Sequence, residues 1–305
     1  MLLYGSYAIL VNLSKVDGQL PYLTSSYVLC SELSKLVVSG VILQVQRINY
    51  PSADDGLVNS SLSENSRRLS TWTILSFAVP AMCYCVNNNL GVIVQKYMDP
   101  ASFMVLGNFK IVTTTFLFRV VMKKTLRRNQ WLAVLILTAG GGLHSMSALQ
   151  ATSVSMSEVH VSIIGLFLLG SSCLVSAFGS VFTEYLLKQD NKLSLVEQTG
   201  LLYTFGVVFN FMLWCFEVYR RPSSCFCLFE GYSAYTYLLV LTQVLCGLIM
   251  SLVMKYLNNM VKVFIVACAP LVTTMLAYVL FNFHIQAEFI ASAAMVVGSV
   301  MLYSV

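Results

Sequence analysis

Read as apolar and polar positions, the chain is a series of long hydrophobic runs separated by short polar punctuation. Ten apolar blocks stand out, at approximately 1–13, 22–46, 72–95, 101–122, 130–149, 162–187, 195–219, 234–254, 261–282 and 286–304. Most reach the roughly 17–25 residues that a helix needs to cross about 30 Å of hydrocarbon. The runs are continuous, unlike the short alternating segments of a transmembrane barrel. In lipid the backbone must satisfy its own hydrogen bonds, which leaves helices. The pattern predicts an all-α, polytopic membrane protein of ten transmembrane helices, one transmembrane domain over 1–305. Block one, Met1 to Leu13, is too short to span. It also lacks the basic start and the small-residue cleavage site of a signal peptide. The preferred reading is that the start of the first helix is missing from this sequence; a short or re-entrant helix is the alternative. The longest polar stretch, about 47–71, contains "NSSLSENSRR" and reads as a flexible loop.

Composition sharpens this picture. Of 305 residues, 57% are hydrophobic and 10% charged, against roughly 25% charged in soluble domains. The mean hydropathy is +0.76. With so few charges, the net charge of +5 reports topology and gives no sign of a nucleic-acid partner. Loops after even-numbered blocks hold ten Lys or Arg (Arg47, Arg67, Arg68, Lys123, Lys124, Arg127, Arg128, Lys188, Lys192, Lys255). Odd loops hold four: Lys15, Lys96, Arg220 and Arg221. The positive-inside bias puts the even loops and both termini in the cytosol. The sequon at Asn59 then lies on the cytosolic side and is expected to be unmodified.

A faint repeat runs through the chain. "QKYMDPASFMVLGNFKIVTTTFLF" from Gln95 and "MKYLNNMVKVFIVACAPLVTTMLAY" from Met254 share a Lys-Tyr and a later Val-Thr-Thr, offset by 159 and then 160 residues. That offset is five helices. An odd-numbered unit repeated in tandem must invert across the membrane, giving a 5+5 inverted repeat, about 1–149 and 162–305, with a midplane site between halves.

Polar residues inside the blocks are functional candidates by default. Glu32 and Lys35 in "SELSK" and Glu184 and Lys188 in "TEYLLK" sit one turn apart and are read as ion pairs that fasten helices. Asn87 to Asn89 suit either helix packing or substrate binding. Block seven opens with Glu197, Gln198 and Thr199, with Tyr203 beyond. Blocks eight and nine carry Ser251, Lys255 and Lys262, and Lys255 can snorkel to the cytosolic surface. Lys110 differs from these. It lies ten residues after Pro100 and thirteen before "KKTLRR", with no acid within four residues. An unpaired ammonium at that depth costs at least about 2.5–3.5 kcal/mol. An anionic ligand is the preferred compensation, and Glu32 or Glu184 from another helix is the alternative.

No other chemistry is encoded. Nine cysteines form no C-x-x-C pair and read mostly as small hydrophobes. His144, His160 and His284 lie in or near odd loops without ligand spacing. There is no Walker loop, H-E-x-x-H or G-x-S-x-G. Neither an enzyme, a cofactor nor a metal is expected.

The stretch "NNNLGVIVQKYMDPASFMVLGNFKIVTTTFLFRVVMKKTLRRNQW", with "SELSK", "SVFTEYLLK", "LLYTFGVVFN" and "GLIMSLVMKYLNNMVKVF", resembles the nucleotide-sugar transporter family over nearly the whole chain. Within it, the resemblance is to the branch of CMP-sialic acid and UDP-galactose transporters, and most to a subgroup labelled probable UDP-sugar transporters. The resemblance implies a drug/metabolite transporter fold and a multi-pass Golgi antiporter. Such a protein exchanges a cytosolic pyrimidine nucleotide sugar (a UDP-sugar, CMP-sialic acid or a CDP-alditol such as CDP-ribitol) for lumenal nucleoside monophosphate. By motif position, Lys110 and Lys262 would hold phosphates, Asn88 and Ser251 nucleotide groups, and Tyr203 the base. Glu32, Lys35, Asn87, Glu184 and Lys255 would form a polar framework. Phe103 stands where the CMP-sialic acid branch has Tyr, Gly107 replaces a bulkier residue, and Thr199 replaces Asn; these positions line the family's pocket. Two rivals stay open: a non-transporting membrane scaffold of other nucleotide-sugar transporters, and a proton-coupled metabolite exporter. Besides nucleotides, lipid is the expected partner, and association as a homodimer or with other nucleotide-sugar transporters stays open.

Overall fold

The computed structural model describes residues 1–15, 20–49, 71–94, 97–98, 100–151, 162–189, 193–220, 227–281 and 287–304. Most of the loop at 47–71, with its sequon, lies outside these, as do His160 and His284. Among the described residues the protein is all-helical, without strands. The helices are α1 (Leu2–Leu13), α2 (Thr24–Asn49), α3 (Thr71–Ser76), α4 (Ala78–Val94), α5 (Pro100–Leu106) and α6 (Phe109–Met122). They continue as α7 (Arg128–Ala151), α8 (Ile163–Gln189), α9 (Leu195–Arg220), α10 (Ala234–Tyr256), α11 (Asn259–Phe281) and α12 (Ala287–Ser304).

Each apolar block coincides with one helix or with a broken pair, α3–α4 and α5–α6. Among the described residues, seven helical segments are long and apolar enough to cross a membrane: Thr24–Asn49, Ser102–Met122, Ile163–Gln189, Leu195–Arg220, Ala234–Tyr256, Asn259–Leu276 and Ala287–Ser304. Their outer faces carry large exposed apolar side chains such as Phe167, Phe216 and Met275, which hydrocarbon accommodates and water would not.

Helix ends follow local chemistry. Ser194 and Glu197 cap α9 reciprocally: Ser194 N–H donates to Glu197 Oε2 at 2.8 Å, and Glu197 N–H to Ser194 Oγ at 3.3 Å. Ser233 and Thr236 do the same for α10. Asn258 Oδ1 accepts Val261 N–H at 2.9 Å at the start of α11.

Packing brings distant elements together. The most extensive contacts are α7 with α12, α2 with α9, α4 with α8 and α6 with α8. A buried cluster of Phe118, Val134, Leu137, Val181, Met260, Phe264 and Val296 joins α6, α7, α8, α11 and α12. A second, Leu29, Trp214 and Val218, joins α2 to α9. Between these packed seams the bundle encloses a central cavity.

Candidate functional site

The cavity has a volume of about 580 Å³ and is walled by ten of the twelve helices or their breaks, from Tyr4 on α1 to Val296 on α12. Lys110 on α6 and Lys262 on α11 both line it. Two like charges facing one cavity repel each other. Among the described residues Lys110 has no acidic partner, because the two ion pairs are Glu32–Lys35 at 2.7 Å and Glu184–Lys188 at 2.6 Å. Neither glutamate proposed as compensation for Lys110 reaches it.

The approach of α6 to the cavity depends on an interruption. Between α5 and α6 the hydrogen bonding tightens: Asn108 N–H reaches Val105 O at 3.3 Å and Lys110 N–H reaches Gly107 O at 3.1 Å, both i to i−3. The Asn108 side chain adds donors at this turn, to Met104 O at 2.9 Å and Val105 O at 3.2 Å. Asn108 packs so closely on Gly141 of α7 that any Cβ there would collide with it. A break at membrane depth is tolerated where it faces a cavity, and Gly107 and Asn108 do.

The opposite wall holds the Glu32–Lys35 pair. Gly206 of α9 faces Glu32 and Gly247 of α10 faces Lys35; an added Cβ would stand 2.9 Å from Glu32 Oε2 or from Lys35 Cε respectively. Two glycines therefore make the slot in which the pair lies. Lys35 Nζ also sits 5.7 Å over the Tyr203 ring, a cation–π contact. Tyr203 is buried and shares a hydrogen bond of 3.3 Å with Ser251, whose hydroxyl also donates to Gly247 O.

The remaining candidates divide. Asn88 lines the cavity, as does Asn87, whose Oδ1 accepts from Ser172 at 3.0 Å. Glu32 and Lys35, read from spacing as fasteners, are on the cavity wall as well as paired. Phe103 and Thr199 are not on that wall. Phe103 packs against the cluster of Val94, Met98, Leu169 and Cys173. Thr199 spends its hydroxyl on Leu195 O at 2.9 Å and Val196 O at 3.2 Å. Lys255 does not simply snorkel outward; it donates to Gln198 Oε1 at 3.0 Å. Glu184 is fully buried away from the cavity, between Lys188 and the first turn of α11. His144, expected in or near a loop, lies within α7 and lines the cavity.

Sequence reasoning passed over Tyr84, Asn108, Ser180, Gly206 and Gly247, all on the wall. One signal was available: Ser176, Ser180 and Glu184 recur every four residues along one face of an otherwise apolar helix. The glycines gave none, because their use depends on a partner helix.

A polar, cation-bearing cavity inside a bundle of lipid-facing helices defines a multi-pass membrane protein built to hold a charged solute. The family can be stated: the chain belongs to the nucleotide-sugar transporters, whose family model matches residues 1–304. Its relatives include "Probable UDP-sugar transporter protein SLC35A4" of Xenopus tropicalis, 36% identical over 99% of this chain and 88% of that protein. The proteins of the same name from Danio rerio and Homo sapiens are 35% and 34% identical, each over 99% of this chain and 90% of the relative. These relatives are transporters, not enzymes. A solved crystal structure shares the fold, with a TM-score of 0.70 at 11% identity, over 99% of this chain and 92% of the other.

Proposed function

We propose that the protein is a Golgi antiporter that takes a cytosolic pyrimidine nucleotide sugar into the lumen and returns nucleoside monophosphate. The cargo is a UDP-sugar, CMP-sialic acid or a CDP-alditol such as CDP-ribitol. The observation that carries this reading is the Lys110 ammonium, without an acidic partner among the described residues, facing the same cavity as Lys262. Two cations at membrane depth call for a dianionic ligand, and phosphate groups supply it. Asn88, Ser251 and Tyr203 are the nucleoside contacts in this reading.

The same reading takes the bundle as ten spans in a 5+5 inverted repeat with both termini cytosolic. Packing supports it. Number the spans one to ten, counting α3–α4 and α5–α6 as one each, and exchange each span with the one five places on. The contact of α4 with α8 then maps onto that of α10 with α1, and that of α6 with α8 onto that of α11 with α1. The repeat offset of 160 residues aligns Lys110 with Pro270, so each half disturbs its fourth helix near the same level.

Two observations weigh against the rivals. Two of the three departures from the family pattern, Phe103 and Thr199, stand off the cavity wall, which removes much of the motive for a scaffold without transport. The carboxylate on the wall among the described residues, Glu32, is paired with Lys35, which leaves a proton-coupled exporter without a free carboxylate carrier there.

The test is exchange in proteoliposomes loaded with UMP or CMP. Wild type takes up a labelled UDP-, CMP- or CDP-conjugate; Lys110→Gln loses at least 100-fold of that rate while remaining monodisperse with an unchanged helical spectrum. Near-normal uptake by the variant would refute the assignment.

A further inference from the structure

Lys262 is tethered. Its Nζ donates across from α11 to Ser180 Oγ on α8 at 3.1 Å, with a weaker contact to Met254 Sδ at 3.6 Å. An ammonium accepts nothing, so the Ser180 proton is left to give. It goes to Asn259 Oδ1 at 2.6 Å, an O–H···O length. Asn259, the first residue of α11, is fully buried, and its backbone N–H donates to Glu184 Oε2 at 2.8 Å. Glu184 Oε1 in turn accepts from Lys188 Nζ at 2.6 Å, and Lys188 also bonds Leu257 O at 2.6 Å. A continuous line of polar groups thus runs from the end of α8 to an ammonium in the cavity.

Two features show that this line does more than join helices. Lys262 lines the same cavity as Lys110, and like charges facing one space repel, so the tether sets where the Lys262 ammonium stands. Asn259 also turns Oδ1 toward Ser180 while its buried Nδ2 has no hydrogen-bond partner among the described residues. A residue kept only for packing would be apolar and would leave no such orphan.

We propose that Asn259 is a positioning residue. Backed by Glu184 and acting through Ser180, it holds the Lys262 ammonium where the cavity grips a ligand phosphate. Asn259 does not line the cavity, so its effect on ligand reaches the site through Lys262. The inference rests on the phosphate-binding reading above, and its test separates the two.

Purified full-length protein is titrated calorimetrically with UMP and with uridine, its phosphate-free counterpart. In parallel, cavity lysines are methylated reductively with isotopic formaldehyde, and the rate at each lysine is read by peptide mass spectrometry. Asn259→Ala is expected to weaken UMP at least tenfold and leave uridine within twofold. Lys262, released from its acceptor, should methylate at least threefold faster, with Lys110 unchanged as the internal control. Ser180→Ala should reproduce these changes and Ser180→Thr, which keeps the hydroxyl, should restore them; this pair decides the matter if Asn259→Ala does not fold. An unchanged Lys262 rate, or equal weakening of UMP and uridine, overturns the proposal. If wild type binds no nucleotide while Lys262 methylation still responds, the positioning stands and the transport reading fails.

Discussion

At Gly247 and Gly206 the absence of a side chain is what permits charge on the cavity wall. The Glu32–Lys35 pair was visible from its one-turn spacing, but the slot that receives it comes from two other helices. Gly247→Ala would place a methyl against Lys35 Cε. Overpacking at this scale costs about 1–3 kcal/mol, and a displaced Lys35 would leave Glu32 without its partner. We expect a lower thermal midpoint in detergent for Gly247→Ala, with part of the loss recovered when Glu32→Gln and Lys35→Met are added, because a neutral pair has no charge to strand. No recovery would mean that the clash is steric alone. Lys110 was legible for the opposite reason: its depth and lack of acidic neighbours are properties of the sequence. Phe103 and Thr199 misled because resemblance supplies a residue's position in a motif and not the direction in which its turn faces.

The informative element is the broken fourth span. An apolar run from 101 to 122 predicts one helix; the protein builds two, α5 and α6, joined at Gly107 and Asn108. The break is stable because the Asn108 amide adds donors at this turn and Gly141 leaves it room. Asn108→Ala removes that cap and leaves the Met104 carbonyl, at membrane depth, to a 3.4 Å contact from Ser145 Oγ, whose proton Gly141 O also attracts at 3.0 Å. An unsatisfied buried acceptor costs about 1–3 kcal/mol, so the thermal midpoint should fall measurably, and Gly141→Val should produce a similar loss by expelling the same side chain. If Asn108→Ala melts as wild type does, the amide is not supporting the break. Block boundaries were readable from hydropathy to within a few residues, whereas the interruption, set by one amide bonding to another helix, was not.

For the whole molecule, the proposed exchange has an energetic signature set by the charges on its two ligands. A nucleotide sugar carries about two negative charges, and a nucleoside monophosphate nearly two at pH 7, its second pKa being about 6. One-for-one exchange then moves almost no net charge, and a potassium diffusion potential should change uptake less than twofold at pH 7. Below pH 6 the monophosphate approaches one charge, so exchange carries net negative charge inward, and an inside-positive potential should accelerate it. A potential effect of equal size at both pH values would exclude this stoichiometry. The proposed topology, read from the loop charges, has its own test: tags at either terminus should be digested in intact vesicles, and endoglycosidase should not change the mobility of the protein through Asn59. Protection of one terminus alone would break the even span count.

The sequence by itself determined that the chain is a helical membrane protein, where its apolar blocks lie, which family it belongs to, and that an ammonium lies deep in one block. Those are properties of composition and of order along one strand of chain, and hydrocarbon leaves the backbone little alternative to helix. Tertiary structure decided which polar residues share a wall, that Gly206 and Gly247 cradle an ion pair, that Asn108 seals a broken helix, and that Ser180, Asn259 and Glu184 stand behind Lys262. Each of these depends on the register and rotation of one helix against another. Those quantities are fixed by side-chain packing across the bundle, and no spacing within a single helix encodes them.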